Sequence, residues 1–209
     1  MNLKEYFNKD TTAELTKDVL GHELIYRSLK GIVSGIIVEA EAYLGAKDSA
    51  AHAFKGHRSA ANEALYEDPG TIYIYTLRGH YMLDVATQKN GEPQGILIRG
   101  IEPLKGKKIM LNNRTKHGFD LTNGPAKLTE AMGIDSKELN MKPMDGSPLT
   151  ISLTRIKEPS KISASARVNV STRGDWTEKP LRYYVAGNPY VSKMRKRDMD
   201  ETNYGWEKQ

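Results

Sequence analysis

The feature that most constrains the fold is the alternation of side chains in residues 35–45, GIIVEAEAYLG. Successive side chains of a β-strand point to opposite faces, so this segment predicts a strand with two unlike faces. One face would carry only apolar side chains, namely Ile36, Val38, Ala40 and Ala42. The other would carry Ile37, Glu39, Glu41 and Tyr43.

Two carboxylates on one strand face allow three interpretations. They can be solvated surface groups, which is the commonest case, or the acid–base groups of a catalytic site. They can also bind a metal ion, although none of the five histidines (His22, His52, His57, His80 and His117) has paired metal-ligand spacing. Alternation alone favours the solvated face, so the choice among these three interpretations depends on the residues predicted to lie around the two carboxylates.

The remaining pattern predicts an α+β fold, a single compact domain around an antiparallel-rich sheet. Helices are predicted at 10–21 and 123–133, and a long polar loop with short helical pieces at 44–68. Strands are predicted at 23–27, 36–43, 71–77, 95–101, 149–153, 166–170 and 183–186. We expect the domain to span 1–197 and to be followed by a polar C-terminal tail, 198–209, that need not be ordered.

Composition narrows the class of protein. The 209 residues contain no cysteine, which excludes disulfides, thiolate metal sites and a cysteine nucleophile. The net charge of +5 favours an anionic partner such as nucleic acid. No apolar run is long enough for a membrane helix and the N-terminus has no signal-peptide core, so we expect no membrane association and a cytoplasmic location.

Aromatic and basic residues supply the context for the two carboxylates. Tyr73 and Tyr75 share a face of one predicted strand, and Arg99 lies between apolar residues on another. A buried arginine needs a partner, so Arg99 either forms a structural ion pair with Glu39 or Glu41 or holds a carboxylate and a water together. The tyrosines are either core residues or stacking surfaces for a planar ligand.

Seven stretches, in order, resemble the alkyladenine (3-methyladenine) DNA glycosylases over roughly residues 10–195. They are VEAEAYLG (38–45), DSAAHAF (48–54), PGTIYIY (69–75), ILIRGIEPL (96–104), NGPAKL (123–128), ARVNV (166–170) and KPLRYYVAGNPYVS (179–192). The resemblance implies a fold similar to the formyltransferase C-terminal domain. It also implies base excision repair, in which alkylated or deaminated purines are flipped out of double-stranded DNA and hydrolysed from the sugar. That reaction needs no metal or cofactor and leaves an abasic site. We expect a monomer, because wrapping a duplex needs an open face, and association with the nucleoid if the protein is bacterial.

The same resemblance assigns roles to individual residues. Glu41 would be the general base that activates water, and Arg99 and the main chain at Val168 would hold that water. Tyr43 and His52 would sandwich the flipped base, with Tyr75 at its rim.

Three positions depart from the family pattern. Arg78 stands where Tyr or His is common and would fill the gap left in the duplex, with His80 close enough to help. Asp84 stands beside the base where Asn is usual, and it would change the accepted purines. If Asp84 is buried near Glu41, one of the two pKa values should rise. Ala61 stands where the family pattern has a cationic side chain, so an expected contact to DNA is absent there.

Other basic residues are candidates for phosphate contacts, namely Arg114, Lys116 and the run at 194–197. A solvated charged face is an equal explanation for each of them. Two other functions remain open at this point. One is a nucleic-acid binding module of the same fold with little catalysis, and the other is a hydrolase of free nucleosides.

Overall fold

The computed structural model describes residues 1–170 and 174–208. Eight β-strands and four α-helices make up its regular structure within these ranges. The strands are β1 (His22–Ser28), β2 (Gly31–Tyr43), β3 (Ile72–Leu77), β4 (His80–Thr87), β5 (Gln94–Lys105), β6 (Leu149–Arg155), β7 (Ile162–Ser165) and β8 (Arg182–Val185). The helices are α1 (Leu3–Tyr6), α2 (Thr12–Asp18), α3 (Lys107–Asn113) and α4 (Pro125–Met132).

All eight strands belong to one sheet, and every pairing between them is antiparallel. The main path is β3-β4-β5-β2-β1-β6. β2 pairs with β5 along one edge, and its other edge is shared, since the first half pairs with β1 and the second half with β8. The prediction of an α+β domain around an antiparallel sheet is confirmed.

Helix α2 begins where its sequence predicts but ends at Asp18, three residues before the predicted Gly21, whereas α4 has both predicted ends. Thr11 caps α2 by accepting a hydrogen bond from the Glu14 N–H at 3.3 Å, and Leu15 is fully buried against the sheet. Pro125 opens α4, and Gly133 ends it in the left-handed conformation, with φ of +79°.

One face of the sheet is wholly apolar at its centre. Ala42 lies opposite Ile96, Ile96 opposite Val85, and Val85 opposite Ile72, and all four are fully buried. Directly opposed residues share a face, so this row continues the apolar face predicted for β2. The core therefore fixes which way the alternate side chains of β2 point.

Two sequence expectations need correction. Residues 166–170 form no strand, because Asn169 is left-handed with φ of +57° and the buried Arg167 turns toward Asp48. Residues 80–87, which the pattern left unassigned, form β4. The C-terminal segment up to residue 208 packs on the domain through the buried Trp206, whose indole N–H donates to Glu102 at 2.7 Å. Across the described ranges, no helix is both long and apolar enough to cross a membrane.

Candidate active site

A row of side chains across the second face of the sheet defines the candidate site. Glu41 on β2 lies opposite Leu97 on β5 and Arg182 on β8. Leu97 lies opposite Asp84 on β4, and Asp84 lies opposite Tyr73 on β3. Because opposed residues of an antiparallel sheet share a face, the register alone gathers two acids, an arginine and a tyrosine.

Glu39 is buried in a cluster of cationic and hydroxyl partners. The β2–β5 register shifts on both sides of Glu39, which re-aims its side chain as a β-bulge does. Its carboxylate accepts hydrogen bonds from Nε of Arg99 at 2.8 Å and from Nε of Arg182 at 2.7 Å. Ser192 donates its backbone N–H at 2.6 Å and its hydroxyl at 2.7 Å. A side chain at Gly100 would lie 2.7 Å from the Tyr190 carbonyl oxygen and 3.4 Å from Glu39, so this packing favours glycine there.

Glu41 is equally buried but has fewer partners. Its Oε1 accepts a hydrogen bond from the Val168 N–H at 2.7 Å, and its Oε2 accepts one from the Tyr43 hydroxyl at 2.8 Å. Nε of Arg99 lies 3.3 Å from Oε1, so one arginine serves both glutamates. The solvated-face interpretation is wrong, because Glu39 and Glu41 are both 0% exposed.

The two glutamates have opposite pKa shifts. Burial opposes ionisation of Glu39, yet Arg99, Arg182 and Ser192 outweigh it and hold the pKa of Glu39 below its usual range. Burial raises the pKa of Glu41, although Arg99, the Val168 N–H and the Tyr43 hydroxyl oppose the rise. A group with a raised pKa and an ordered set of donors suits proton transfer better than a permanently ionised one.

A cavity of about 270 Å³ lies over Leu97 and Arg99. Its volume falls slightly below the roughly 300–1,000 Å³ of ordinary small-molecule pockets, which suits one planar base better than a larger ligand. The wall is aromatic and aliphatic with few polar groups; it consists of Tyr43, Ala50, His52, Leu65, Tyr75, Leu77, Met82, Asp84, Leu97, Arg99, Pro125, Val168, Asn169 and Val170. Since Arg99 and Val168 line the cavity and both approach Oε1 of Glu41, the Glu41 carboxylate lies directly beneath its floor.

The aromatic wall is held by contacts between its own rings. Tyr73 and Tyr75 stack with centroids 4.9 Å apart, and the His52 ring meets Tyr75 edge-on at 4.7 Å. Nδ1 of His52 is hydrogen bonded to the Tyr73 hydroxyl at 2.8 Å. Tyr43 is supported by the Arg167 guanidinium, 4.7 Å from its ring centre. These rings are therefore fixed before any ligand arrives.

A buried ion pair positions the segment that carries Val168. Arg167 binds both oxygens of Asp48 and donates to the Ala42 carbonyl at 3.0 Å. Asp48 in turn accepts the backbone N–H groups of Leu44 and Ala50, each at 3.0 Å. The pair ties residues 166–170 to the start of the 44–68 loop, and so it fixes the Val168 N–H against Glu41.

The 44–68 loop has the predicted short helical pieces and carries His52. They are the 3₁₀ turns Gly45–Lys47, Phe54–Gly56 and Glu63–Tyr66. The buried Asn62 donates from its amide to the carbonyls of His52 at 3.2 Å and His57 at 2.9 Å. Ala61 lies beside it on the surface. Hydrogen bonds within the loop therefore hold His52, which lines the cavity, in place.

Asp84 is the acid of the cavity wall that lacks a partner. It is 4% exposed, and its Oδ1 has no hydrogen-bond partner among the described residues. Burial first, and the charge of Glu41 second, raise the pKa of Asp84 well above its usual range. The expectation that burial near Glu41 would raise one of the two pKa values agrees with this environment.

The tip of the β3–β4 hairpin, which carries Arg78 and His80, adjoins the cavity-lining residue Leu77. Leu77 pairs with His80, so Arg78 and Gly79 form a two-residue turn, in which both have positive φ, of +51° and +81°. Arg78 and His80 are exposed, and the cavity-lining Leu77 is 49% exposed. The hairpin tip is therefore a small exposed projection beside the cavity mouth.

The other candidate phosphate contacts differ in how free their charge is. Arg114 forms ion pairs with Glu130 and, at 3.9 Å, with Asp120, whereas Lys116 is exposed. In the run at 194–197, Asp198 pairs with Arg195 at 2.6 Å and with Arg197 at 3.8 Å, whereas Lys196 is exposed. Lys116 and Lys196 therefore offer more accessible charge than Arg114.

Several residues of the site carry no role in the sequence argument. They are Asp48, Leu77, Arg167, Asn169, Arg182 and Ser192. Arg167 and Ser192 lie inside family-like stretches, which was the available signal, but their partners are more than a hundred residues away. Within the described part of the chain, no group of three His, Asp or Glu side chains is arranged to hold a metal ion.

Comparison with known proteins places the chain in a family. Residues 5–189 match the family model described as methylpurine-DNA glycosylase. A protein of Lactobacillus helveticus, named as a predicted 3-methyladenine DNA glycosylase, is 49% identical over 99% of this chain and 100% of its own length. Proteins with the same name from Latilactobacillus sakei and Staphylococcus saprophyticus are 45% and 43% identical, over 96% and 97% of this chain and 95% and 98% of their own lengths. The chain belongs to the methylpurine-DNA glycosylase family.

Proposed function

We propose that the protein hydrolyses the N-glycosidic bond of alkylated or deaminated purines that are flipped out of double-stranded DNA into the cavity, with water activated by Glu41. As a member of its family the chain is a DNA glycosylase of base excision repair. The proposal therefore concerns the damaged base, the residues that act on it and the product, an abasic site.

The observation that carries the proposal is the position of the Glu41 carboxylate. It lies under an aromatic cavity, with Oε1 held by the Val168 N–H and by Arg99, both of which line that cavity. A carboxylate in this position can orient a water toward an anomeric carbon above it. It can also stabilise the positive charge that develops on the sugar.

Base binding would use the fixed aromatic wall. Extruding a base from a duplex costs a few kcal/mol, and damaged or mispaired bases cost least. Stacking on an aromatic side chain returns about 1–3 kcal/mol per base. Tyr43 and His52 are proposed to enclose the base, with Tyr75 at its rim and Asp84 near its edge.

The chemistry needs no covalent intermediate with the protein. Arg99 favours the ionised form of Glu41, which takes a proton from water as the glycosidic bond breaks. A base that already carries a positive charge leaves readily, whereas a neutral base such as hypoxanthine needs a proton first. No Schiff base forms, so the DNA strand should stay intact at the abasic site.

Contacts to the DNA backbone would come from basic residues outside the cavity lining. Arg78 at the hairpin tip is proposed to fill the gap in the duplex, with His80 beside it. Lys116 and Arg114 are proposed phosphate contacts, of which Lys116 is the more accessible. Such contacts position the enzyme without reading the sequence.

The assembly and the fold class are part of the same proposal. We propose a monomer, because the cavity mouth and the hairpin must approach a duplex from one open side. We also propose that the architecture is similar to the formyltransferase C-terminal domain and that residues 1–197 form the catalytic domain.

The test is single-turnover excision from duplexes that carry one hypoxanthine, one 7-methylguanine or one ethenoadenine. Wild-type protein should release at least one of these bases and leave an alkali-labile site in an uncut strand. Glu41→Gln should lower the rate by about 10³-fold, within the range known for loss of a general base. Glu138→Gln, at an exposed position, is the matched control.

Duplex binding that persists without excision of any of the three bases would overturn the proposal. An equal rate for Glu41→Gln and wild type would remove Glu41 from the mechanism. Borohydride trapping of the protein on DNA would contradict the water route.

A further inference from the structure

Asp84 differs from every other buried acid around the cavity in its lack of a counter-charge. Glu39 has two arginines and Glu41 shares one of them, while Asp48 is bound by both terminal nitrogens of Arg167. No Lys, Arg or His nitrogen within the described ranges lies at ion-pair distance from Asp84. Its Oδ1 is buried without a hydrogen-bond partner there.

An ionised carboxylate in such a place is costly. Burying a charge without a partner costs several kcal/mol, so the group keeps its proton until a cation approaches. Glu41, Tyr43, Tyr73 and Tyr75 are the ionisable groups whose charges couple to Asp84, and none of them is a cation. Arg99 and His52 line the same cavity, but Arg99 is bound to Glu39 and approaches Glu41, and Nδ1 of His52 is hydrogen bonded to the Tyr73 hydroxyl. The protein therefore holds an acid in the cavity wall that has no ion-pair partner of its own and that a cationic ligand can pair with.

The rest of the wall favours the same kind of ligand. Tyr43 and Tyr75 line the cavity, and Tyr73 stacks on Tyr75 and lies directly opposite Asp84. The faces of aromatic rings attract cations, more strongly when water is excluded. An aromatic enclosure with one uncompensated acid has the composition of a binding site for a planar cation.

We propose that the cavity selects N-alkylated purines that carry a positive charge over neutral deaminated purines, and that Asp84 is the residue that makes this distinction. The proposal rests on the proposed function, because it takes the flipped base as the ligand. On binding, Asp84 releases its proton to solvent and the resulting carboxylate balances the charge of the base. A neutral base offers no such balance and meets a protonated acid.

The experiment compares two ligands of the same shape and different charge. One duplex carries 2′-fluoro-7-methylguanosine, which is cationic and resists cleavage, and the other carries the neutral isostere 7-methyl-7-deazaguanosine. Dissociation constants are measured in mildly acidic buffer, where 7-methylguanine keeps its full charge. The variants are wild type, Asp84→Asn and the control Asp68→Asn, which makes the same substitution at an exposed position outside the cavity.

Wild type and Asp68→Asn should bind the cationic base more tightly than its isostere. Asp84→Asn should reduce that preference about tenfold, mainly by weakening binding of the cation. The same preference in Asp84→Asn and wild type would overturn the proposal. The tyrosines are unchanged in the variant, so their own attraction for cations cancels in the comparison.

Calorimetry in buffers of different ionisation enthalpy provides a second readout on the same variants. Binding of the cationic duplex to wild type should release close to one proton more than binding of the isostere, and Asp84→Asn should lose this difference. The same proton release from wild type and Asp84→Asn would overturn the proposal, because Glu41 also has a raised pKa and is unchanged in the variant. Neither measurement requires cleavage, so failure of excision in the Glu41 experiment and failure of charge selection are distinct results.

Discussion

Glu39 and Glu41 are both fully buried on β2, two positions apart, yet their surroundings differ in kind. Glu39 has two arginines, a backbone N–H and a hydroxyl on its two oxygens. Glu41 has a share of one arginine, one backbone N–H and one phenol, and it lies beneath a cavity. The pKa of Glu39 is lowered and that of Glu41 is raised.

The difference separates a structural carboxylate, that of Glu39, from the one that we propose acts on water, that of Glu41. A carboxylate with complete compensation is fixed in charge and position, so it can anchor its neighbours but cannot exchange a proton near neutral pH. Arg99 contacts both glutamates, and Glu39 is therefore positioned to fix the guanidinium on which Glu41 depends. The following changes test that separation, in order of expected effect.

Replacement of Glu39 should affect stability most. Glu39→Gln leaves Arg182 without its anion and Arg99 with Glu41 alone, and breaking a buried pair in this way costs about 3–5 kcal/mol of unfolding free energy. Glu41→Gln should cost far less, because Arg99 keeps Glu39. Urea denaturation of both variants measures the difference, and equal destabilisation would contradict the division of roles.

Replacement of Arg99 should disturb Glu39 and Glu41 at once, because its guanidinium contacts both carboxylates. Arg99→Lys keeps the charge but loses the planar group that spans Glu39 and Ser192 while it approaches Glu41. We expect excision to slow about 10²-fold, as small misplacements at a reacting centre do. Unfolding free energy should fall by about 1–3 kcal/mol. Arg58→Lys, at an exposed ion pair, is the control in both assays.

Asp84 should give a stability difference that depends on pH. Its folded pKa is raised well above that of the unfolded chain, so its contribution is complete below the unfolded pKa and is lost as pH rises through the folded pKa. Asp84→Asn has no such loss. The unfolding free energy of Asp84→Asn, relative to that of wild type, should increase by up to about 1.4 kcal/mol per pH unit as pH rises from 4. Urea denaturation at several pH values measures this increase. A difference in unfolding free energy that stays constant with pH would contradict the raised pKa of Asp84 in the folded protein.

The smallest expected effect is that of the Tyr43 hydroxyl. Its hydrogen bond lowers the pKa of Glu41, so Tyr43→Phe should raise that pKa further. The rate of excision rises with pH as Glu41 ionises, and this rise should move to higher pH by up to about one unit. Tyr73→Phe is the matched control, since its hydroxyl binds His52 instead. Coincident pH profiles for the two variants would show that the Tyr43 hydroxyl does not tune Glu41.

The features that the sequence predicted are those set by residues close together in the chain. The alternation in β2 predicted the apolar face through Ala40 and Ala42, because the period of two is a property of the strand itself. Thr11, Pro125 and Gly133 predicted helix ends for the same reason. Family-like stretches drew attention to Glu41, Arg99 and Val168 before any geometry was known.

The rest depends on contacts between distant segments. Residues 166–170 look like a strand, yet the Asp48–Arg167 pair and the left-handed Asn169 override that local preference. The partners of Glu39 come from β5, β8 and residue 192, and no local pattern relates them. The lack of a counter-charge at Asp84 is a property of the folded surroundings alone.

The long spans of these contacts have a consequence for how the protein comes to be active. The hydrogen bonds from Ser192 to Glu39 and from Val168 to Glu41 close loops of 153 and 127 residues. Contacts of such sequence separation form late in folding, because chain entropy must be overcome before they contribute. An N-terminal fragment that ends before residue 168 holds Glu41 and Arg99 but not the N–H donor that completes the site. On the proposed mechanism, a chain still being synthesised therefore cannot release a base from DNA, and the chemistry begins only when nearly the whole domain has folded.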